Sequence, residues 1–369
     1  MMTPGIAQLA DTEYRVSPLR SPVVVYGAGS TGRGVCEYLA TAGYELAALL
    51  DANARAGQSW QGLAVQRPAE WLAKDGLVQA DAVVAIHNRD TDMVTAIADV
   101  KRIGFRRVLN MVDFHNLFPE GQPFRYWLAP RSFYRPFIAE IERLRSTLAD
   151  DVSRQWLDSV LAFRMSGDYG LLPTPSFKDQ YCPAGIPRWY NPMRFVDCGA
   201  FDGDTVEQFV RRDGFEFEAI AAFEPDVDNF SKLATRMRTM RCSTSCFPCG
   251  VDSSTAIAHF QSGGGMASRN TIDGASVIQC VALDDALGHF RPTLIKMDVE
   301  GAEVDALSGA RALIAESRPG LAISLYHEPD HLWQIPLTLL EWNLGYEFYI
   351  RGHAHNTFEL VLYAIPSAR

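Results

Sequence analysis

Residues 194–205 read Arg194-Phe-Val-Asp-Cys-Gly-Ala-Phe-Asp-Gly-Asp-Thr205, and this stretch decides the fold. A short apolar strand (Phe195, Val196) ends at Asp197, a turn carries Gly199 and Gly203, and a helix begins near Asp204 and Thr205. Glycines in such a turn let backbone amides approach a ligand with no Cβ between them. The next apolar strand, 219–223, ends in Glu224. Strand, glycine turn, helix, strand and terminal carboxylate is how doubly wound folds hold a nucleotide, with the acid on the ribose hydroxyls. Asp197 narrows the ligand further. A pyrophosphate at the turn has no need of a carboxylate at the end of the first strand, whereas an ammonium and a sulfonium suit one. S-adenosylmethionine (SAM) carries both.

The rest of this half extends the pattern. A third strand is expected at 243–247, followed by Cys249-Gly250-Val251-Asp252, a hairpin-like excursion and Leu283-Asp284-Asp285. The strand 294–298 runs into Val299-Glu300-Gly301-Ala302-Glu303, and the strand 321–325 into Tyr326-His327-Glu328. A last pair of strands is expected near 346–351 and 358–363. With these pieces in order, residues 170–369 resemble the FkbM family of SAM-dependent methyltransferases. The matching segments are the Asp197-to-Thr205 turn, Phe223-Glu-Pro-Asp226 with Asn229, Cys249-Gly-Val251, Leu283-Asp-Asp285, 295–303 and 324–329. Phe201 stands where many other class I methyltransferases place a third glycine, which favours this family within the fold. The resemblance implies a class I fold with an antiparallel last strand. It also implies a cofactor site drawn from Asp197, Gly199, Phe201, Asp202, Gly203, Thr205, Glu224, Asp226, Asn229, Gly250, Val251 and Asp298. The acceptor it implies is a hydroxyl on a sugar or secondary metabolite.

The amino-terminal half carries a second nucleotide-type unit. Residues 22–26 read as a buried strand, and Gly27-Ala-Gly29-Ser-Thr-Gly32 follows it directly. A helix is expected at 31–42, then a strand at 44–50 ending in Asp51. This is a full Gly-x-Gly-x-x-Gly in its strand–helix setting, with an acid on the next strand. Further elements are expected at 81–87, 91–103 and 107–111. Two readings stand for Gly27, Gly29, Gly32 and Asp51: a site for NAD(P) or a nucleotide sugar, or a vestigial Rossmann domain kept for docking or substrate capture.

Between the halves, Phe133, Phe137, Ile141, Leu144 and Leu148 recur at helical spacing, and a second helix starts near Asp150. Residues 171–192 are too rich in proline for a helix and too aromatic for a plain linker, so a fixed loop over the ligand pocket is expected. The chain therefore divides into a Rossmann-like nucleotide-binding domain (1–120), a helical connector with a proline/aromatic loop (121–192) and a class I methyltransferase domain (193–369). The fold class is α/β, with two Rossmann-like doubly wound domains.

Composition sets the outer bounds. A chain of 369 residues favours two domains, and 47% hydrophobic against 21% charged residues supports a real core. The net charge of −10 argues against a nucleic-acid partner. No run approaches a membrane span and no signal peptide is evident, so a cytoplasmic location is expected. Cys242, Cys246 and Cys249 have the spacing of a radical-SAM iron–sulfur motif. On an extended strand, though, the first two lie roughly 13 Å apart at about 3.3 Å per residue, too far to share a cluster. They read as small core side chains, and no metal site is expected.

The chemistry follows from the strand ends. Asp197, Glu224, Asp298 and His327 all close apolar strands, where ligands of open α/β sheets bind. Methyl transfer needs an oriented acceptor and a route for its proton. His327, as a neutral imidazole, is the candidate base, with Asp298 and Glu300 positioning SAM or the acceptor; equally, His327 reads as a hydrogen-bonded residue that shapes its loop. A metal on Asp298 and Glu300 is the less favoured alternative. Two other classes remain open: a nicotinamide-dependent oxidoreductase run by the first domain, and a non-catalytic nucleotide-binding scaffold. The oligomeric state is not legible.

Overall fold

The computed structural model describes residues 5–73, 79–119, 126–212, 214–260 and 276–367. Two compact units divide the chain. Met1–Glu142, Gln155–Phe177 and Gly352–Glu359 form the first; Arg143–Arg154, Lys178–Arg351 and Leu360–Arg369 form the second.

The first unit is built on a six-stranded sheet. Its strands are β1 (Val23–Tyr26), β2 (Leu46–Leu50), β3 (Ser59–Trp60), β4 (Leu63–Gln66), β5 (Asp81–Val84) and β6 (Arg107–Leu109), in the order β3-β4-β2-β1-β5-β6. All neighbours pair in parallel except the short β3–β4 ribbon. Val23, Val24 and Val25 are fully buried, as a central parallel strand covered on both faces requires. The chain leaves β1 for β2 on one side and later returns to β5 on the other, so the order reverses beside β1. The helix Ser30–Thr41 starts directly after the glycine turn. Gly352–Glu359 is fixed on the loop after β5: Asn356 Nδ2 donates to the carbonyls of Asn88 (2.7 Å) and Thr91 (3.0 Å), and Arg89 pairs with Glu359 at 2.5 Å.

The helical spacing of Phe133, Phe137, Ile141, Leu144 and Leu148 is met by two segments in succession rather than by one α-helix. Arg131–Phe137 is a 3₁₀ segment and the α-helix is Ile138–Thr147. Pro136 accounts for the difference, because it has no N–H to give to an α-helical ladder.

The second unit carries a seven-stranded sheet. Its strands are β7 (Met193–Cys198), β8 (Phe217–Phe223), β9 (Ser243–Phe247), β13 (Leu294–Met297), β14 (Gly320–Ser324), β15 (Tyr346–Gly352) and β16 (Leu360–Pro366). Between β9 and β13 lie β10 (Gly250–Val251), β11 (Ala256–Phe260) and β12 (Ser276–Val281), which form a separate small sheet. The large sheet runs β15-β16-β14-β13-β7-β8-β9, and β16 is antiparallel to β14. This is the class I order with its reversed strand, and it puts the carboxyl ends of β7, β8, β13 and β14 along one edge.

Met193, Phe195, Phe209, Ile220, Leu233 and Tyr363 belong to the core of this unit. The proline/aromatic segment enters that core. Tyr181 N–H donates to the Tyr363 hydroxyl (2.9 Å), and Trp189 Nε1 donates to the Tyr181 carbonyl (2.6 Å). The Trp189 ring packs against Gly320, where an added Cβ would sit 2.6 Å from it. Internal packing thus fixes this part of the segment. Cys246 lies within β9 and Cys242 in the bend just before it.

Candidate active site

The site begins with the turn after β7. Gly199 has φ +75°, and a Cβ there would lie 1.9 Å from the Asp298 carbonyl oxygen. Only glycine lets the first turn pack on the end of β13, so this residue joins the two strand ends. Asp298 N–H donates to the Cys198 carbonyl at 3.0 Å and reinforces the junction. Gly203 is also left-handed (φ +87°) and starts the helix Asp204–Val210.

Glu224 is buried beside this turn. Its Oε2 accepts from Phe201 N–H (2.8 Å) and its Oε1 from Asp226 N–H (2.9 Å). Burial raises its pKa, while those two amides work in the opposite direction. Each carboxylate oxygen can still accept a second bond, which suits a ribose diol. Phe201 is 51% exposed, with its ring open to solvent at the turn.

Six further residues expected at the cofactor site have identifiable places within the chain's own structure. Asp226 caps the helix Val227–Met237 by accepting from the N–H groups of Asp228 and Asn229, so Asn229 contributes its backbone to that cap. Asp202 faces Arg236 at 3.2 Å. Thr205 is buried in the first turn of its helix. Gly250 and Val251 form β10 and pair with Cys280 and Val281.

Asp197 has a cation from its own chain. It is fully buried, its cross-strand partner on β13 is Lys296, and the Lys296 ammonium lies 3.0 Å from its carboxylate. The expectation that Asp197 awaits a cationic ligand therefore meets a charge already answered. Burial pushes the Asp197 carboxyl up to about 6 against the pull of Lys296. Burial opposes the charge on Lys296 too, but Asp197 and Asp298 outweigh it and raise its pKa. Each partner thus favours the charged form of the other. Lys296 also donates to the Gly199 carbonyl (2.6 Å), tying the charge pair to the glycine turn. The sequence reading missed Lys296; the signal was a lone lysine inside an apolar strand beside a strand ending in aspartate.

At the ends of β13 and β14 sits a cluster of acids and histidines. His327 is buried, with Nδ1 2.7 Å from Glu303 Oε1 and Nε2 facing Asp298 Oδ1 (3.5 Å) and Glu300 Oε2 (3.6 Å). Glu303 is fully buried and accepts from Val299 N–H (2.9 Å) and Gly301 N–H (3.1 Å), with His331 Nδ1 3.1 Å away. It thus holds both the imidazole and the loop that presents Asp298 and Glu300. Glu300 takes a left-handed backbone (φ +56°), a strained conformation that points to a constrained loop. Asp298 Oδ1 accepts from Ser324 Oγ (2.8 Å) and Tyr326 OH (3.3 Å). Glu303, Ser324 and Tyr326 were not singled out in the sequence.

This environment alters the imidazole. Burial disfavours its charge, but Glu303, then Asp298 and Glu300, override that and raise the His327 pKa from 6.5 to about 10. Glu303 shifts the opposite way: burial opposes its charge, and His327 and His331 pull its pKa well down. Glu300 is raised, chiefly by burial. The surrounding carboxylates thus favour the imidazolium, whereas a base must present the neutral ring. One donor atom each from Asp298, Glu303 and His327 lie within 4.8 Å of one another, close enough to share a metal ion as well as a proton.

A stability consequence follows with a definite sign. A folded-state pKa above the unfolded one means that the His327 contribution is complete below pH 6.5 and fades as pH rises toward 10. The melting temperature of the protein is expected to fall more steeply across that window than that of His327→Gln. Parallel slopes in thermal unfolding at pH 6.5, 8 and 9.5 would contradict the assignment.

In the first unit, Asp51 Oδ2 accepts from Ala28 N–H and Oδ1 from Asn53 N–H, each at 2.8 Å. Gly27 (φ +107°) and Gly32 close the turn, a Cβ on Gly32 falling 1.6 Å from the Gly27 carbonyl oxygen. No described helix is long and apolar enough to cross a membrane.

With this geometry in view, comparison with known proteins is informative. Residues 197–348 match the family model of the methyltransferase FkbM domain. Methyltransferase FkbM from Methylobacillus flagellatus KT superposes with a TM-score of 0.76 at 24% identity, over 93% of this chain and 89% of that one. The fold likeness thus extends beyond the matched domain. Aeropyrum pernix fibrillarin, solved with natively bound S-adenosyl-L-methionine, aligns over 47% of this chain and 66% of its own at 13% identity, with a TM-score of only 0.29. No curated protein matches the chain. The glycine turn of β7, the acid closing β8 and the acid–histidine cluster after β13 and β14 all fall within the matched span, and residues 197–348 are a methyltransferase domain of the FkbM family.

Proposed function

We propose that the second unit moves a methyl group from SAM to a hydroxyl of a sugar or secondary-metabolite acceptor, free or within a glycan. The observation that carries this reading is the convergence of the Gly199 turn, Glu224, Asp298 and His327 at neighbouring strand ends within an FkbM methyltransferase domain. The residues present fit the cofactor: the two Glu224 oxygens each take one backbone amide, from Phe201 and Asp226, and keep acceptor capacity for a ribose diol. SAM supplies a methyl group already activated by its sulfonium.

The chain's own contribution is to place the acceptor and take its proton. Asp298 and Glu300 present carboxylates toward His327 Nε2, and Glu303 fixes the ring from the Nδ1 side. Positive charge brought close to this cluster lowers the ring pKa from about 10 toward neutrality, since like charge disfavours the imidazolium. His327 then shares the acceptor's proton with Asp298 and Glu300. Incubation with methyl-labelled SAM and a panel of hydroxylated sugars and metabolites tests the reading; label confined to amine or thiol acceptors would overturn its oxygen-directed part.

Glu224 provides a binding test. Glu224→Gln keeps one acceptor for the neighbouring amides but weakens the carboxylate's hold on two hydroxyls. SAM affinity in calorimetry is expected to drop by about 1–3 kcal/mol, the cost of poorly paired buried polar groups. Unchanged affinity in the folded variant would remove Glu224 from the ribose site.

A further inference from the structure

We propose that the first unit holds a second ligand site, separate from that of methyl transfer, which takes a nucleoside diphosphate with a free ribose diol. The diphosphate is either free or one half of a nucleotide sugar or dinucleotide. A cleft of about 700 Å³ opens at the carboxyl ends of β1 and β2, lined by Ala28 and Gly29 on one side and by Asp51, Asn53, Arg55 and Gln58 on the other. It lies beside β1, where the strand order reverses, which is where ligands of open α/β sheets bind.

The three glycines of the turn differ in why they are glycine. Gly27 is required by its left-handed backbone, and Gly32 by its contact with the Gly27 carbonyl. Gly29 is required by neither. Its φ is −70°, open to any residue, and a Cβ built on it meets nothing within 4 Å. It borders the cleft, so the missing side chain keeps open space that the protein's own packing does not use. A ligand backed closely against the turn is the physical reason for glycine there.

The walls specify the ligand's chemistry. Gly29 starts the helix Ser30–Thr41, and no side chain caps it. The positive end of this 12-residue helix's dipole thus lies at Gly29, on the border of the cleft, an arrangement suited to a diphosphate. Asp51 closes β2 on the opposite wall. Its two oxygens each accept one backbone N–H, at Ala28 and Asn53, which aims the carboxylate and leaves capacity for ribose hydroxyls. The same negative charge rejects a 2′-phosphate.

The test uses the full chain with S-adenosylhomocysteine present in excess, so that the methyl-transfer site is blocked. Titration calorimetry with UDP, ADP, UDP-glucose and NAD⁺ is expected to give saturable binding of at least one. Binding of 2′,5′-ADP is expected to be at least tenfold weaker than that of the best ligand. Gly29→Val fills the space without disturbing the fold, and should weaken that binding at least tenfold while leaving the melting temperature and S-adenosylhomocysteine affinity unchanged. Asp51→Asn should weaken it similarly. No binding of any of the four, or full binding by a folded Gly29→Val protein, would overturn the proposal and leave the glycine turn as scaffold. The affinity for S-adenosylhomocysteine, measured in the same variants, reports separately on the methyltransferase reading.

Discussion

Lys296→Met is expected to destabilise the protein by about 3–5 kcal/mol, the usual cost of removing one partner from a buried ion pair. The ammonium is buried on β13, and the carboxylate it faces is completely shielded. Methionine replaces the aliphatic stem with similar volume, so the loss is electrostatic rather than a cavity. It leaves Asp197 with neither water nor a cation, and the Gly199 carbonyl without its side-chain donor. The stranded acid then takes up a proton, its carboxyl already being pushed up to about 6 with the lysine in place. Urea unfolding at pH 7 measures the loss. The double variant Lys296→Met/Asp197→Asn should recover part of it, because no buried charge remains. A single-variant loss below about 1 kcal/mol would mean that water reaches the pair. SAM affinity is expected to fall as well, since the glycine turn rests on this lysine.

How much of this was legible beforehand depends on the kind of interaction. Apolar runs such as Val23 to Val25 and Leu294-Ile295 identify central strands, because a parallel sheet covered on both faces has no polar alternation to show. Glycine turns directly after such strands are local signals, so both turns were legible, and the strands beside them lie within a few residues of their expected bounds. Pairings between distant strands leave weaker traces. Lys296 and Asp197 meet only because β13 lies beside β7. Glu303 reaches His327 from the loop after a different strand, and no sequence spacing reports that contact. Asp226 carried a double meaning: helix caps and nucleotide ligands favour the same residue type after a strand, and local geometry made it a cap. The upward pull on the His327 pKa was likewise out of reach, since it follows from three carboxylates brought together in space.

His327→Ala is expected to lower the methyl-transfer rate by roughly 10² to 10⁴, the range for loss of a general base, while SAM affinity changes little. The argument rests on position. The ring is buried, Glu303 fixes it through Nδ1, and Nε2 faces Asp298 and Glu300 at the strand ends where the acceptor is placed. If the ring accepts the acceptor's proton, the rate should rise with pH as His327 becomes neutral in the loaded site, with a midpoint below the value of about 10 that its carboxylate neighbours impose. That rising limb should vanish in His327→Ala. Asp298→Asn is expected to behave differently. It leaves the hydrogen bond from Ser324 in place but removes a negative charge beside the ring, which shifts the limb to lower pH and reduces the rate at its plateau. Rate–pH profiles of the three proteins on one acceptor decide the matter. If His327→Ala kept the wild-type rate and limb, the histidine would be a brace for the 298–303 loop, and proton removal would fall to Asp298 or Glu300.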